Sequence, residues 1–371
     1  MRDYIGQLLW VGFAGTAVPA ALRGKLDRGE VGATLVFKRN LAFAAGAAGA
    51  PEVVDLDAVI ALTRELHRSA PDGTPALIAV DHEGGSVQRV RAPATVWPAM
   101  HAHDRFAPPE DVAIAEQVGR AIGDELRALG FDIDFAPVLD VHTNPANPII
   151  GERAFGTSAD AVARRALAFA RGLDAAGVLA CGKHFPGHGD TTTDSHLELP
   201  RIDHGWDRLE AVELLPFRRA AEAGLPMVMT AHVVFAALDP LRPATLSEQV
   251  ITGLLRERLG YRGVIVSDDL DMQAIVGHVG ADAAAVAAVR AGCDALLLCK
   301  SEEHQDAAEA ALIREAERDA AFRDRVSEAA HRVRALKQAH AAALATRPAP
   351  PRDVVGSAAH RELADRLSGR P

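Results

Sequence analysis

The chain has 371 residues, with 40 Lys and Arg against 50 Asp and Glu, so its formal net charge is −10. This acidic balance argues against a nucleic-acid partner, because the phosphate backbone is bound by clusters of Lys and Arg. With 49% hydrophobic and 24% charged residues, the composition is that of a globular protein with a large core, which excludes overall disorder and a coiled coil.

Eight short apolar runs of strand length alternate with longer segments of helical spacing. The predicted strands, in chain order, are Leu9–Phe13, Ala33–Phe37, Leu77–Asp81, Phe131–Phe135, Val178–Lys183, Met227–His232, Val264–Asp268 and Ala295–Cys299. The predicted helices between them include Leu56–Arg68, Pro109–Leu129, Asp160–Ala176, Arg208–Ala223, Glu248–Leu259 and Asp282–Ala291. This alternation predicts a parallel sheet that is covered by helices on both faces.

Polar residues at the carboxyl ends of the predicted strands help to choose between a closed barrel and an open, doubly wound sheet. Asp81, Lys183 with His184, His232 and Asp268 each follow or end a different apolar run. A barrel gathers such residues around one mouth, whereas an open sheet spreads them along a crevice. Eight strand–helix units favour the barrel, so we predict an α/β fold of the (β/α)8 TIM type.

The C-terminal part of the sequence changes character after the eighth predicted strand. A predicted helix over Glu302–Leu344 precedes a Pro-rich stretch, Arg347–Pro351, and a last short helix is predicted over Ala358–Leu367. We therefore expect the barrel to occupy residues 1–345 and a linker with a short helical tail to occupy 346–371.

Cysteine content and the N-terminal sequence bear on localisation. Cys181, Cys293 and Cys299 form an odd, sparse set without a disulfide framework. The N-terminus has no basic region followed by an apolar one, and the apolar run over residues 8–13 is too short to span a membrane. We expect a cytoplasmic protein that makes no membrane contact.

The segment Lys183–His196, with the sequence K-H-F-P-G-H-G-D-T-T-T-D-S-H, carries six ionisable side chains in fourteen residues. It lacks apolar periodicity, and we predict a long mobile loop that leaves a strand end. In an extended backbone Asp194 and His196 project to the same side, so the carboxylate can orient the imidazole and stabilise its protonated form. A surface loop with a local Asp–His contact is the alternative.

Three carboxylates follow the seventh predicted strand at once, in the segment Val264–Met272. We predict that Asp268 points into the barrel mouth. Asp269 or Asp271 is available to cap the next helix, a structural role that accounts for one of the three carboxylates but not readily for all.

Two further segments place charged groups beside Gly or Pro. In Asp81–Arg89 two glycines separate acidic from basic side chains, which permits close approach of the backbone to a ligand. In Asp140–Phe155 a loop rich in Pro and Asn presents Arg153 as a planar donor toward the mouth. A surface ion pair is the simpler interpretation of Arg153 taken alone.

Together these segments resemble glycoside hydrolase family 3, and within it the β-N-acetylglucosaminidases of cell-wall recycling. The resemblance covers roughly Ile5 to Leu336. It is carried by K-H-F-P-G-H-G-D-x-x-x-D-S-H at Lys183–His196, S-D-D-L-x-M at Ser267–Met272, N-P-x-I-G-x-R at Asn147–Arg153 and D-x-E-G-G-x-V-x-R at Asp81–Arg89.

The resemblance implies a retaining double displacement that releases terminal N-acetylglucosamine from muropeptides bearing anhydro-N-acetylmuramic acid. It implies that Asp268 is the nucleophile, His196 the general acid/base and Asp194 the partner of that histidine. The positions that it matches to sugar binding are Asp81, Arg89, Arg153, Lys183 and His184. It also implies a monomer without cofactor or metal, with the segment from Val354 onward resembling the start of a second domain, so that the tail is a remnant of it.

Three other functions remain compatible with the sequence. A phosphorylase with the same nucleophile is open, because a histidine repels an incoming phosphate less than a carboxylate does. A metal-dependent amidohydrolase would need an H-x-H pair closing its first strand, whereas the pair His101-Ala102-His103 precedes no strand pattern. An inactive sugar-binding barrel is disfavoured by the joint presence of Asp194, His196 and Asp268.

Overall fold

The computed structural model describes residues 1–44, 52–67, 74–192 and 199–370. Eight parallel strands close into a barrel in which every strand pairs with its neighbours in sequence and the last pairs with the first. The strands are β1 (Leu9–Gly12), β2 (Ala33–Val36), β3 (Leu77–Val80), β4 (Ile133–Asp134), β5 (Leu179–Phe185), β6 (Met227–Thr230), β7 (Val264–Asp269) and β8 (Ala295–Leu298). The predicted (β/α)8 barrel is confirmed.

Helices surround the barrel. They are α1 (Arg2–Leu8), α2 (Ala20–Asp27), α3 (Leu56–Leu66), α4 (Glu110–Ala128), α5 (Ala159–Ala176), α6 (Trp206–Ala211), α7 (Leu215–Glu222), α8 (Gln273–Val279), α9 (Ala281–Ala291), α10 (Glu302–Arg318), α11 (Ala320–Ala345) and α12 (Ala358–Ser368). Three short strand pairs decorate the loops: Phe43–Ala44 with Val53–Val54, His82–Gly84 with Val87–Gln88, and Arg201–Ile202 with Val234–Phe235. Among the described residues, none of the helices combines the length and apolar character that crossing a bilayer requires.

Three helix predictions were wrong in detail. The segment predicted as one helix over Arg208–Ala223 is divided into α6 and α7, with a proline in the first turn of α7, where its missing N–H costs nothing. The long helix predicted over Glu302–Leu344 is divided at Asp319, whose carboxylate accepts hydrogen bonds from the first amides of α11. The segment Gln249–Arg258 has π-helical hydrogen bonds.

The interior of the barrel is a packed apolar core. Trp10 of β1 and Phe135 just after β4 are both fully buried, and their rings stack with centroids 6.4 Å apart. Side chains from the other seven strands complete this core: Ala33, Leu35, Leu77, Ala79, Ile133, Cys181, Met227, Met229, Val264, Val266, Ala295 and Leu297. The core therefore closes the barrel beneath its mouth.

The last helix packs on the outside of the barrel. Leu367 of α12 is fully buried, and the helix contacts α4 and the turn over Met100–Arg105. Ser357 caps α12 by accepting a hydrogen bond from the backbone amide of His360. The division of the chain at residue 346 stays a prediction.

Candidate active site

A cavity of about 290 Å³ opens at the carboxyl-terminal mouth of the barrel. Leu35, Phe135, Met229 and Leu297, which belong to the core of the barrel interior, form its apolar floor. Six of the eight predicted site residues line it: Asp81, Arg89, Arg153, Lys183, His184 and Asp268. The other two, Asp194 and His196, lie outside the described residues.

A buried ammonium group lies at the centre of the cavity wall. Lys183, only 2% exposed, extends from β5 and places its Nζ atom 2.9 Å from Asp81 Oδ1 and 2.6 Å from Glu83 Oε1. The two carboxylates raise the pKa of Lys183 although burial alone would lower it. The side chain is therefore a fixed cation at the barrel mouth.

Two arginines extend this contact into an alternating row of five charges. Arg89 Nη2 lies 3.2 Å from Asp81 Oδ2, while Arg153 donates to both oxygens of Glu83 at 2.7 and 2.8 Å. Burial would raise the pKa of Asp81, but Lys183 and Arg89 hold it well below its ordinary value. We call Arg89, Asp81, Lys183, Glu83 and Arg153 the charge row.

Glu83 was not among the predicted site residues, although it lies within the motif Asp81–Arg89. Asp81 and Glu83 are separated by one residue, so in an extended chain both side chains point to the same side. This spacing is the sequence pattern that could have identified Glu83 as a site residue. Gly84, with φ +96°, turns the chain immediately afterwards, and a Cβ there would lie 2.7 Å from the Pro98 carbonyl oxygen. A turn of this kind keeps Glu83 inside, where it is 1% exposed.

A buried carboxylate orients His184 at the cavity edge. Asp140 Oδ2 lies 2.7 Å from His184 Nδ1, and Asp140 Oδ1 accepts hydrogen bonds from the backbone amides of His184 and His188. With Nδ1 engaged, the Nε2 atom is the ring nitrogen available to a ligand. Asp140 was predicted to begin a loop and was not among the predicted site residues.

The first part of the segment predicted as a mobile loop is buried and hydrogen-bonded. Strand β5 continues to Phe185, so Lys183 and His184 belong to the strand itself. Asn147 donates to the His188 carbonyl oxygen at 2.8 Å and to Thr191 Oγ1 at 3.1 Å. Burial and the neighbouring His184 lower the pKa of His188 to about 4, so this imidazole is neutral at pH 7.

The three carboxylates at the end of β7 take different positions. Asp268 lines the cavity, and its backbone amide donates to Thr230 Oγ1 at 3.3 Å. Asp269 accepts from the Cys299 amide, and Asp271 accepts from the Lys300 and Ser301 amides. The prediction that Asp269 or Asp271 caps the next helix was wrong, because the side chains of both hold the segment after β8 against β7.

The fold and this geometry agree with a family comparison. The family model described as "Glycosyl hydrolase family 3 N terminal domain" matches residues 1–336. The chain belongs to glycosyl hydrolase family 3. The family and the glycoside hydrolase class that the sequence predicted are thereby confirmed.

Curated relatives carry a common name. The Beta-hexosaminidase of Alkalilimnicola ehrlichii is 42% identical over 299 residues, which cover 80% of this chain and 81% of that protein. Beta-hexosaminidase A of Pseudoalteromonas piscicida is 38% identical over 76% of this chain, but the match spans only 48% of that longer protein.

Solved structures give the same picture. A family 3 β-N-acetylglucosaminidase from Paenibacillus sp. str. FPU-7 superposes with a TM-score of 0.88 at 40% identity and covers 99% of this chain and 68% of that one. NagZ from Neisseria gonorrhoeae superposes with a TM-score of 0.76 at 32% identity, covering 97% of both chains.

We predict that Glu83→Gln destabilises the fold, because it leaves the cations of Lys183 and Arg153 without the carboxylate between them. The expected loss in free energy of unfolding is about 3 kcal/mol, measured by urea denaturation at pH 7. Glu152→Gln, at an exposed neighbouring position, is the control. A loss no larger than that of the control would contradict the prediction.

A second prediction concerns Asp269, whose pKa is raised to about 6 by burial and by the charges of Asp271 and Asp268. Between about pH 4 and 6 the folded state keeps a proton that the unfolded state has lost, so wild-type stability falls as the pH rises through this window. Asp269→Asn should gain stability relative to the wild type over the same window and show no difference below it. Urea denaturation at several pH values measures this, with the exposed Asp324→Asn as control. A pH-independent difference would count against the raised pKa.

Proposed function

We propose that the protein is a retaining exo-β-N-acetylglucosaminidase that removes terminal non-reducing N-acetylglucosamine from muropeptide fragments. The observation that carries the proposal is the position of Asp268 on a small cavity whose wall bears the charge row. A carboxylate opposite fixed cations and acceptors is the arrangement that a glycosidase with a covalent intermediate needs.

In the proposed reaction, the Asp268 carboxylate attacks the anomeric carbon and forms a glycosyl ester. As the glycosidic bond breaks, protonated His196 donates its proton to the leaving oxygen, and Asp194 stabilises the imidazolium. The neutral imidazole of His196 then takes a proton from water, which attacks the anomeric carbon and frees Asp268. Both steps balance without a metal or a cofactor.

The charge row supplies the proposed sugar contacts. His184, which Asp140 orients at the cavity edge, adds a donor from outside the row. Within the row, Asp81 offers acceptor oxygens, while Arg89, Arg153 and Lys183 offer donors to ring hydroxyls and the acetamido group. These side chains already hold one another in place, so less ordering has to accompany binding. Contacts to the non-reacting hydroxyls can then be used to distort the ring toward the transition state.

Two observations support action on a terminal N-acetylhexosamine. The apolar floor closes the barrel below the cavity, so a ligand has access only from the mouth. A solved NagZ from Neisseria gonorrhoeae, 33% identical to this chain, is a complex with N-trifluoroacetyl-D-glucosamine. The muropeptide substrate and a monomeric state belong to the same proposal and rest on the motif resemblance, and a cytoplasmic location belongs to it on the basis of the cysteine content and the N-terminal sequence.

Asp268→Ala should lower kcat for an aryl N-acetyl-β-glucosaminide by at least about 10³-fold, because no covalent intermediate can form. The neighbouring Asp269→Asn is the matched control and should keep kcat within about tenfold. The Oδ1 atom of Asp269 accepts hydrogen bonds from backbone amides, and the Oδ1 atom of asparagine can accept the same bonds. Turnover near the wild-type level in Asp268→Ala would remove Asp268 from the nucleophile role.

His196→Ala should slow the natural disaccharide about 10²-fold and an activated aryl substrate far less, because a good leaving group needs little protonation. Steady-state kinetics on both substrates measures the difference. An equal loss on both would contradict the acid role of His196.

Product analysis distinguishes hydrolysis from phosphorolysis. We expect free N-acetylglucosamine as the main product with and without inorganic phosphate. The sugar 1-phosphate as main product would replace the hydrolase by a phosphorylase.

A further inference from the structure

The C-terminal tail touches the barrel at a buried acid, Glu125 of α4. The Gly356 amide donates to Glu125 Oε1 at 3.0 Å, and His360 Nδ1 lies 2.9 Å from the same oxygen. Gly356 has φ +67°, and a Cβ there would lie 2.1 Å from the Pro93 carbonyl oxygen. The tail therefore fits closely against both α4 and the segment around Pro93.

The same carboxylate holds the loop that follows the hairpin formed by His82–Gly84 and Val87–Gln88, which we call the hairpin. Thr95 Oγ1 donates to Glu125 Oε1 at 2.6 Å, and the Thr95 amide donates to Oε2 at 3.1 Å. Burial would raise the pKa of Glu125, but hydrogen bonds from His360, Thr95 and Gly356 hold it below its ordinary value. A buried ionised carboxylate depends on its hydrogen-bond donors, and those of Glu125 come from the tail and from Thr95 in the part of the chain that the structure describes.

Gln88 carries the connection from Thr95 into the hairpin. Its Nε2 atom donates to the Thr95 carbonyl oxygen at 2.7 Å and to the Val90 carbonyl oxygen at 2.9 Å. Its Oε1 atom accepts from the Trp97 amide at 2.9 Å. Gln88 also pairs with His82 across the hairpin, and it is 4% exposed.

Three of the five residues of the charge row lie in or directly beside the hairpin. Asp81 precedes His82, Glu83 follows it, and Arg89 follows Gln88. A shift of Gln88 would therefore move Arg89 relative to Asp81. The contact between Arg89 and Asp81 is 3.2 Å long, near the upper limit for a hydrogen bond, so a small displacement would weaken it.

We propose that Glu125 and His360 are positioning residues for the sugar site, which act by fixing the hairpin through Thr95 and Gln88. The docked tail thereby sets the position of Arg89, 271 residues earlier in the chain than His360. The kinetic consequences of this inference rest on the proposed function, whereas the effect of the tail on the hairpin is independent of it. The C-terminal tail, predicted as the remnant of a second domain, would thus position a residue of the proposed sugar site.

The test uses the full chain and the substitution His360→Ala, which removes one donor from Glu125 at a half-buried position and should leave the fold intact. Arg366→Ala is the matched control, because it removes a peripheral ion pair between α12 and Glu110 without touching Glu125. His360→Asn is the conservative variant, since its amide can donate from the position of Nδ1.

Hydrogen exchange of the amides over residues 82–90 gives the first readout, and it does not require activity. We expect faster exchange there in His360→Ala, wild-type exchange in Arg366→Ala, and recovery in His360→Asn. Unchanged exchange in His360→Ala, or equal acceleration in Arg366→Ala, would overturn the proposal.

Kinetics with an aryl N-acetyl-β-glucosaminide give the second readout. His360→Ala should raise KM about fivefold with kcat changed less than about twofold, and should add nothing in an Arg89→Ala background, because both changes act through the same contact. Additive effects of His360→Ala and Arg89→Ala would assign His360 a purely structural role. If the wild type cleaves no N-acetylglucosaminide, the proposed function fails, while the exchange experiment still decides the role of the tail.

Discussion

The site depends on the ammonium group of Lys183, which is buried at the barrel mouth between two carboxylates. Removing such a group from water is costly, and the cost is offset only when oxygen ligands surround it at short distance. Asp81 and Glu83 provide these oxygens, and each is in turn held by an arginine. The position of every charge in the row is thereby fixed by its neighbours rather than by any ligand.

The charge row also explains why this part of the fold has an irregular backbone. Asp81 and Glu83 come from the short hairpin after β3, Lys183 from β5 and Arg153 from the turn Gly151–Arg153. Three separate loops or strands must therefore meet within hydrogen-bonding distance. Asn147 and Asp140 secure the segments between them through hydrogen bonds to backbone amides and carbonyls.

Hydropathy alone located the barrel strands, because parallel strands covered on both faces are continuously apolar, as in Ala295–Leu298. The polar residues that end these strands then indicated the mouth. The positions of polar residues did not identify Glu83 and Asp140 as site residues. A single charged residue in a loop resembles a solvent-exposed one until its partners from distant segments are known. Asp194 and His196 were selected from their spacing and their chemistry and received their specific roles from the motif resemblance, and those roles remain proposals.

Helix boundaries were less predictable than strands for a local reason. The break between α10 and α11 depends on Asp319 accepting two backbone hydrogen bonds, yet an aspartate within a charged helical segment is equally compatible with an exposed position. In the same way, nothing in the sequence of Gln249–Arg258 distinguishes π-helical from α-helical hydrogen bonding. Such choices are made by packing against neighbouring elements.

The closed floor beneath the cavity has a consequence for the order of events in a catalytic cycle. Trp10 and Phe135 leave no exit through the barrel axis, so whatever enters by the mouth must leave by the mouth. The part of a substrate outside the cavity has to depart before the bound ring can follow it. A long chain therefore cannot slide through the barrel, and under the proposed exo-acting function each chain end would be released after one cleavage and the next end captured anew, which is a distributive mode of action.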